Sequence, residues 1–219
     1  TYTREPVQDG ERSVTLRRVG DIQIALMSYH VPPGSHPDYA AIDILSQVLG
    51  DQPSGRLYRA LVEPGLASST GSFAYQLREA GPLLTFAQVR AGDDLSAAVA
   101  AMNQVLVDAI RNPVTGEEVD RARTSMLNGF EQSFNNPERI ALQLSEWASM
   151  GDWRLFFLHR DRIEAIQPRD VHRVAAEYLK PDNRTVGLFY PTDEPDRAEV
   201  PDLPDIDSAL DGYTGREAI

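Results

Sequence analysis

The stretch 22–50 constrains this chain more than any other. Residues 22–31 alternate apolar and polar side chains, Pro32-Pro33-Gly34 interrupts them, and 38–49 reads as a helix closing on Gly50. A shorter alternating run, 13–19, joins 22–31 through Gly20-Asp21, so the spacing predicts a hairpin that feeds the helix. On that helix Ala41, Ile44, Leu45 and Val48 fall at i, i+3, i+4 and i+7. Two imidazoles four residues apart, with a carboxylate between them, would let such a helix hold zinc and activate water. This face carries neither group. It is a core face.

The rest of the chain supplies partners for that unit. Val14 and Leu16, with Ile22, Ile24 and Leu26, are expected to form the buried side of the first two strands. After the helix, Ser54 is placed to cap a short helix over 55–63, which Pro64-Gly65 stops. Runs 68–77 and 83–90 form a second strand pair across Glu79-Ala80-Gly81-Pro82. From Asp94 the period changes to helical, with Leu95, Val99, Met102, Leu106 and Ile110 on one face until Asn112-Pro113. Thr115 and Glu118 have capping-box spacing, and Asn136-Pro137 is a cap followed by proline at the first helical position. Gly151 breaks that third helix, Asp152 opens a fourth, Pro168 a fifth, and 185–190 is a last strand. The order predicts an α+β fold, a mainly antiparallel sheet with helices packed on one face. Residues 1–12 read as a lead-in, 13–191 as a single domain, and 192–219 as an acidic, Pro-rich linker or tail.

Charge and composition exclude several function classes. The net charge is −12, and the span 192–219 alone carries nine acids against Arg197 and Arg216. A clustered basic face able to neutralise phosphates is missing, so no nucleic-acid partner is expected. No run reaches the roughly 20 apolar residues a membrane helix needs, so no membrane segment is expected. Cysteine is absent, which removes disulfides, thiolate metal sites and cysteine nucleophiles. The sequence begins at Thr1 without an apolar leader, which reads as a processed or excised segment.

The remaining chemistry-bearing residues are scattered. The four histidines, His30, His36, His159 and His172, include no pair at i, i+3 or i, i+4. His30 and His36 with Asp38 could share a metal across the loop, which would suit a stand-alone hydrolase; exposed loop polarity is the favoured account. Asp161 and Glu164, interleaved with Arg160 and Arg162, read as ion pairing on a wet helix face. Trp147 falls on a helical core stripe, whereas Phe156 and Phe157 cannot both point inward. Neither a Gly-x-Ser-x-Gly elbow nor a glycine-rich phosphate loop occurs.

A family resemblance rests on an ensemble of short matches. They include Tyr29-His30-Val31-Pro32-Pro33-Gly34, Ser54-Gly55-Arg56-Leu57-Tyr58, Ser145-Glu146-Trp147, Gly151-Asp152-Trp153-Arg154, and Tyr178-Leu179-Lys180-Pro181. On these the chain resembles the non-catalytic domain of the insulinase/pitrilysin-type zinc peptidases, whose active domains carry an inverted His-x-x-Glu-His motif. The resemblance implies a metallohydrolase-like domain of the mitochondrial-processing-peptidase type. It sets Ala41, Ile44 and Leu45 where the two ligand histidines and the glutamate would sit. It therefore implies no cofactor in this chain, zinc on a catalytic partner domain of the same polypeptide, and no activity for this chain alone. The implied role is a wall of the peptide-cleavage chamber that helps bind peptide substrate, in a periplasmic or secreted bacterial protein. Ser69, Phe73 and Tyr75 are the expected substrate-facing residues. An Arg and a Tyr that such domains often lend to the substrate carbonyl fall here on Val62 and Ser69, which weakens that part of the role. The competing reading is a structural or assembly module with no part in proteolysis. What separates the two is whether the partner carries His-x-x-Glu-His.

Overall fold

The computed structural model describes residues 6–216. Five strands, β1 (Arg12–Val19), β2 (Ile22–Val31), β3 (Ser69–Ala74), β4 (Gly81–Arg90) and β5 (Arg184–Thr192), form one sheet in the order β1-β5-β2-β4-β3. β1 runs parallel to β5, and every other neighbouring pair is antiparallel. The expected hairpin between β1 and β2 does not form, because β5 lies between them. Three Cα steps from Val19 to Ile22 reach roughly 10 Å, and straddling one strand needs about 9.6 Å at the usual spacing. Gly20-Asp21 is therefore long enough to bridge over β5.

The helices are α1 (Tyr39–Gly50), α2 (Leu95–Arg111), α3 (Gly116–Ser133), α4 (Pro137–Ser149), α5 (Leu155–Ala165), α6 (Pro168–Tyr178) and a short α7 (Ile206–Leu210). Their starts follow the local chemistry. Asp94 accepts from the Ser96 and Ala97 amides, Asn136 from those of Glu138 and Arg139, and Thr115 and Glu118 close a reciprocal capping box. Ser54 does not cap as expected: its hydroxyl donates to Asp51, and the segment after it winds into a π-helical turn, Tyr58–Val62. Regular structure also continues past Pro191, since β5 ends at Thr192 and Asp205 caps α7 inside the acidic tail.

One sheet face is packed by α1, α2 and α6. Ala25, Met27, Tyr29 and Val31 of β2, with Leu83, Ala87 and Val89 of β4, point into this core and are nearly inaccessible. The expected burial of the first strands is thus inverted. Ile22, Ile24 and Leu26 are only half-buried, and Val14 and Leu16 are exposed. Pairing across the ladder puts Leu16, Phe189 and Ile24 in one row, and Leu26 and Phe86 in the next. This second face carries an apolar stripe, with Ser28 and His30 towards one end and Gln88 and Arg90 towards the other, and none of α1–α6 lies over it: the helices that pack on the sheet meet the side of Ala25, Met27 and Tyr29. A smaller core sits apart from the sheet, where Trp147, Met150 and Phe156 pack with Phe130 between α3, α4 and α5. Phe130 stacks on Phe156 at 4.4 Å, while Phe157 meets them edge-on from the rim.

Candidate functional site

The face of α1 that could have carried a metal is sealed in the main core. Ala41, Ile44 and Leu45 are each at most 1% exposed, and Val119 and Ala122 of α3 belong to the same cluster. An imidazole or carboxylate here would need burial among alkyl groups with no donor facing it. The residues do not fit a zinc ion, and among the described residues no group of three His, Cys, Asp or Glu converges. Close packing continues to the end of the helix. A Cβ on Gly50 would lie 2.3 Å from the amide nitrogen of Ser72, so only glycine lets α1 cross β3 this closely.

His36 and Asp38 form a clamp rather than a ligand set. The carboxylate of Asp38 accepts from Arg173 Nη2 at 2.6 Å and from the Tyr178 hydroxyl at 2.9 Å, fixing the start of α1 to α6. Hydrogen bonding from Arg173, foremost, holds the Asp38 carboxyl below its ordinary range. Burial, with the bond to Asp38, pushes the Tyr178 hydroxyl up to about 12. His36 Nδ1 accepts the Asp38 amide at 3.1 Å, and Arg162 donates to the carbonyls of Ser35 and His36. His30 lies on β2, and its carbonyl accepts from Asn183. The loop is consumed by its own structure.

The third set, Ser69, Phe73 and Tyr75, lies along β3. Phe73 and Tyr75 are 40% and 45% exposed, and their rings meet edge-on at 5.2 Å. Leu77 extends the strip. Ser69 stands apart near the opposite end of the strand, its hydroxyl donating to Gln88 Oε1 at 3.0 Å. The bond from the Tyr75 amide to the Pro82 carbonyl fixes the odd-numbered residues as the bonded partners of β4. The outer edge of β3 is then presented by Thr70, Ser72 and Ala74. It is already occupied: the Thr70 carbonyl accepts from Gln52 at 2.7 Å, and the Ala74 carbonyl from the Tyr39 hydroxyl at 3.0 Å. Side chains rather than an open strand edge are what this region offers. Val62 is half-buried and supplies no donor.

The sequence reading missed one polar pair. Asp43, beside the sealed stripe of α1, meets His159 of α5 with Oδ2 and Nε2 at 3.0 Å. Trp147 and Tyr39 flank the imidazole at 5.0 and 5.7 Å between ring centroids. With the partners 116 positions apart along the chain, no local spacing announces them.

A family model described as the peptidase M16 inactive domain matches residues 1–126. The zinc protease PqqE of Helicobacter pylori is 25% identical over 196 residues, covering 87% of this chain and 43% of that protein. The chain thus spans less than half the length of this curated relative. A crystal structure of the inactive peptidase domain of a zinc protease-like protein from Bordetella parapertussis is 39% identical. It superposes with a TM-score of 0.75 over 82% of this chain and 98% of that one. The periplasmic protease PqqL from Escherichia coli shares the fold at 14% identity, with a TM-score of 0.67 over 84% of this chain and 21% of its own.

Proposed function

The chain belongs to the M16 peptidase inactive-domain family, and from that membership we propose that it forms one wall of a peptide-cleavage chamber in a zinc protease. The catalytic, zinc-bearing wall is supplied by another domain of the same polypeptide, and this domain helps hold the peptide. The observation that carries the reading is the uncovered apolar sheet face. An antiparallel sheet that faces water is normally polar on that side, yet Leu16, Ile24, Leu26, Phe86 and Phe189 line it here. Apolar patches of this kind mark interaction surfaces. The larger size of the relative PqqE supports a partner within the same chain, where interdomain contacts typically bury about 600–1,500 Å² and allow relative motion. Phe73, Tyr75 and Leu77 are the side chains proposed to meet peptide, and Ser69 serves the sheet. A bacterial periplasmic setting is proposed on the likeness to PqqL, and no helix among the described residues is long and apolar enough to cross a membrane.

The test is peptide turnover by the catalytic part of the protease, alone and with this chain supplied in trans. Turnover should rise when the chain is added, and Phe86→Asp on the uncovered face should remove the gain. Equal turnover with and without the chain rejects the chamber role and leaves the structural module.

A further inference from the structure

A cavity of about 270 Å³ opens between α3, α4 and α5, walled by Trp147 and Phe130 and floored by the Asp43–His159 pair. It is several times the roughly 30 Å³ that one water takes up in the liquid. Two buried polar atoms of its lining have no hydrogen-bond partner, His159 Nδ1 and Gln143 Oε1. Buried polar groups are nearly always satisfied, so a pair of orphans in one cavity points to an occupant.

The chemistry of that occupant follows from the lining. The Asp43 carboxylate can only accept, so His159 donates through Nε2–H, and Nδ1 of an uncharged imidazole is then an acceptor. Gln143 Oε1 is an acceptor as well. The occupant must bring two donors. A cation is disfavoured, because Arg139 and Arg160 also line the cavity. Arg160 is engaged with Asp161 and lies over the Phe130 ring, and Arg139 is an exposed residue whose guanidinium is free to meet water. A carboxylate supplies no donor to the two buried acceptors. A neutral carboxamide, with two N–H bonds, supplies a donor to each. Gln76, the residue after Tyr75, lines the same cavity.

We propose that this cavity is a subsite for a carboxamide side chain, asparagine or glutamine, of the peptide that the domain helps to hold. The inference rests on the chamber reading, and its test uses this chain alone. Three capped tripeptides, acetyl-Ala-Xaa-Ala-methylamide with Xaa as Gln, Glu or Met, are titrated into the 219-residue chain. The Trp147 indole N–H and the His159 imidazole nitrogens are followed by NMR. The Gln peptide should move both signals and bind at least about tenfold more tightly than the Met and Glu peptides, since unpaired buried polar groups penalise analogues that lack the bonds. Gln143→Leu, which leaves the Asp43–His159 pair intact, should remove the preference for Gln, and His159→Phe should do the same. Equal binding of Gln and Met peptides, tighter binding of Glu, or no movement of either signal would overturn the subsite. Because no turnover is measured, loss of this result would leave the chamber reading standing, and loss of the turnover effect would leave this result readable.

Discussion

Replacing Arg56 by Met should cost stability in a pH-dependent way. Arg56 grips Glu118 with two parallel bonds, Nε to Oε1 at 2.7 Å and Nη2 to Oε2 at 2.8 Å, and ties the π-helical turn to the start of α3. Arg56, foremost, and Thr115 hold the Glu118 carboxyl at about 2, against an ordinary 4.5. At about 1.36 kcal/mol per unit, that depression corresponds to roughly 3 kcal/mol as an upper bound. The side chains are 20% and 15% exposed, so the pair lies between a surface bridge and a buried one. Exposed pairs contribute about 0–1 kcal/mol, and breaking a buried pair costs about 3–5 kcal/mol. Since Thr115 still serves Glu118 in the variant, we expect a loss of about 1.5 kcal/mol at pH 7. The folded value is depressed, so the stabilisation is complete above pH 4.5 and is lost as pH falls towards about 2. The difference between wild type and Arg56→Met should fall below about 0.7 kcal/mol at pH 3. Urea unfolding followed by circular dichroism at pH 7, 5 and 3 measures it; with a slope of about 3 kcal/mol/M the pH 7 midpoint should drop by about 0.5 M. A difference that stays constant from pH 7 to pH 3, or is absent at pH 7, would refute the electrostatic account.

Trp147→Ala should destabilise by about 3–5 kcal/mol, because the indole is 4% exposed and anchors the smaller core; a urea-unfolding change below about 1 kcal/mol would contradict that packing. Gly50→Ala forces a methyl group against the Ser72 backbone, so it should cost more than about 2 kcal/mol, and a neutral result would mean that α1 and β3 are not in register as described. Trypsin should cut after Arg197 while residues up to Thr192 survive, since Val200, Leu203 and Tyr213 are each more than 70% exposed and pack on nothing. Resistance of that bond at enzyme levels that cleave a denatured control would falsify the picture of a loosely attached tail.

What could be read from residue order was the local chemistry. The capping box at Thr115, the cap at Asn136 and the apolar stripe of α1 are each written within seven residues, and each stands where it was expected. Phe156 turns inward and Phe157 to the rim, as neighbouring positions on one helix must. What could not be read depended on distance along the chain. β5 joins the sheet from more than 150 residues beyond β2 and displaces the apparent hairpin partner. Asp43 and His159 meet only because α5 packs across α1, and the orphaned Gln143 shows its significance only once a cavity surrounds it. Of the candidate site, the sealed apolar stripe of α1 was legible, the Phe73–Tyr75 strip rested on resemblance, and the polar cavity was invisible.

The inverted burial of the first strands bears on function as much as on folding. A period of two tells which residues share a face but not which face the helices take. Both faces of β2 carry apolar side chains, Ile22, Ile24 and Leu26 beside Ser28 and His30 on one, and Ala25, Met27, Tyr29 and Val31 beside Gln23 on the other. The helices cover the second set, and Tyr29, Met27 and Val31 leave no doubt of it at 2% exposure or less. An apolar stripe on the second side is suited to contact with a further layer. α1 to α6 supply one layer, and the acidic tail is a poor candidate for the other, because eight carboxylates between Asp193 and Asp211 would have to approach an apolar surface with a single arginine among them. Under the proposed reading, that layer is the partner domain, supplied from outside residues 6–216. The proposed contact then lies on the sheet rather than on the helices that seal the apolar face of α1.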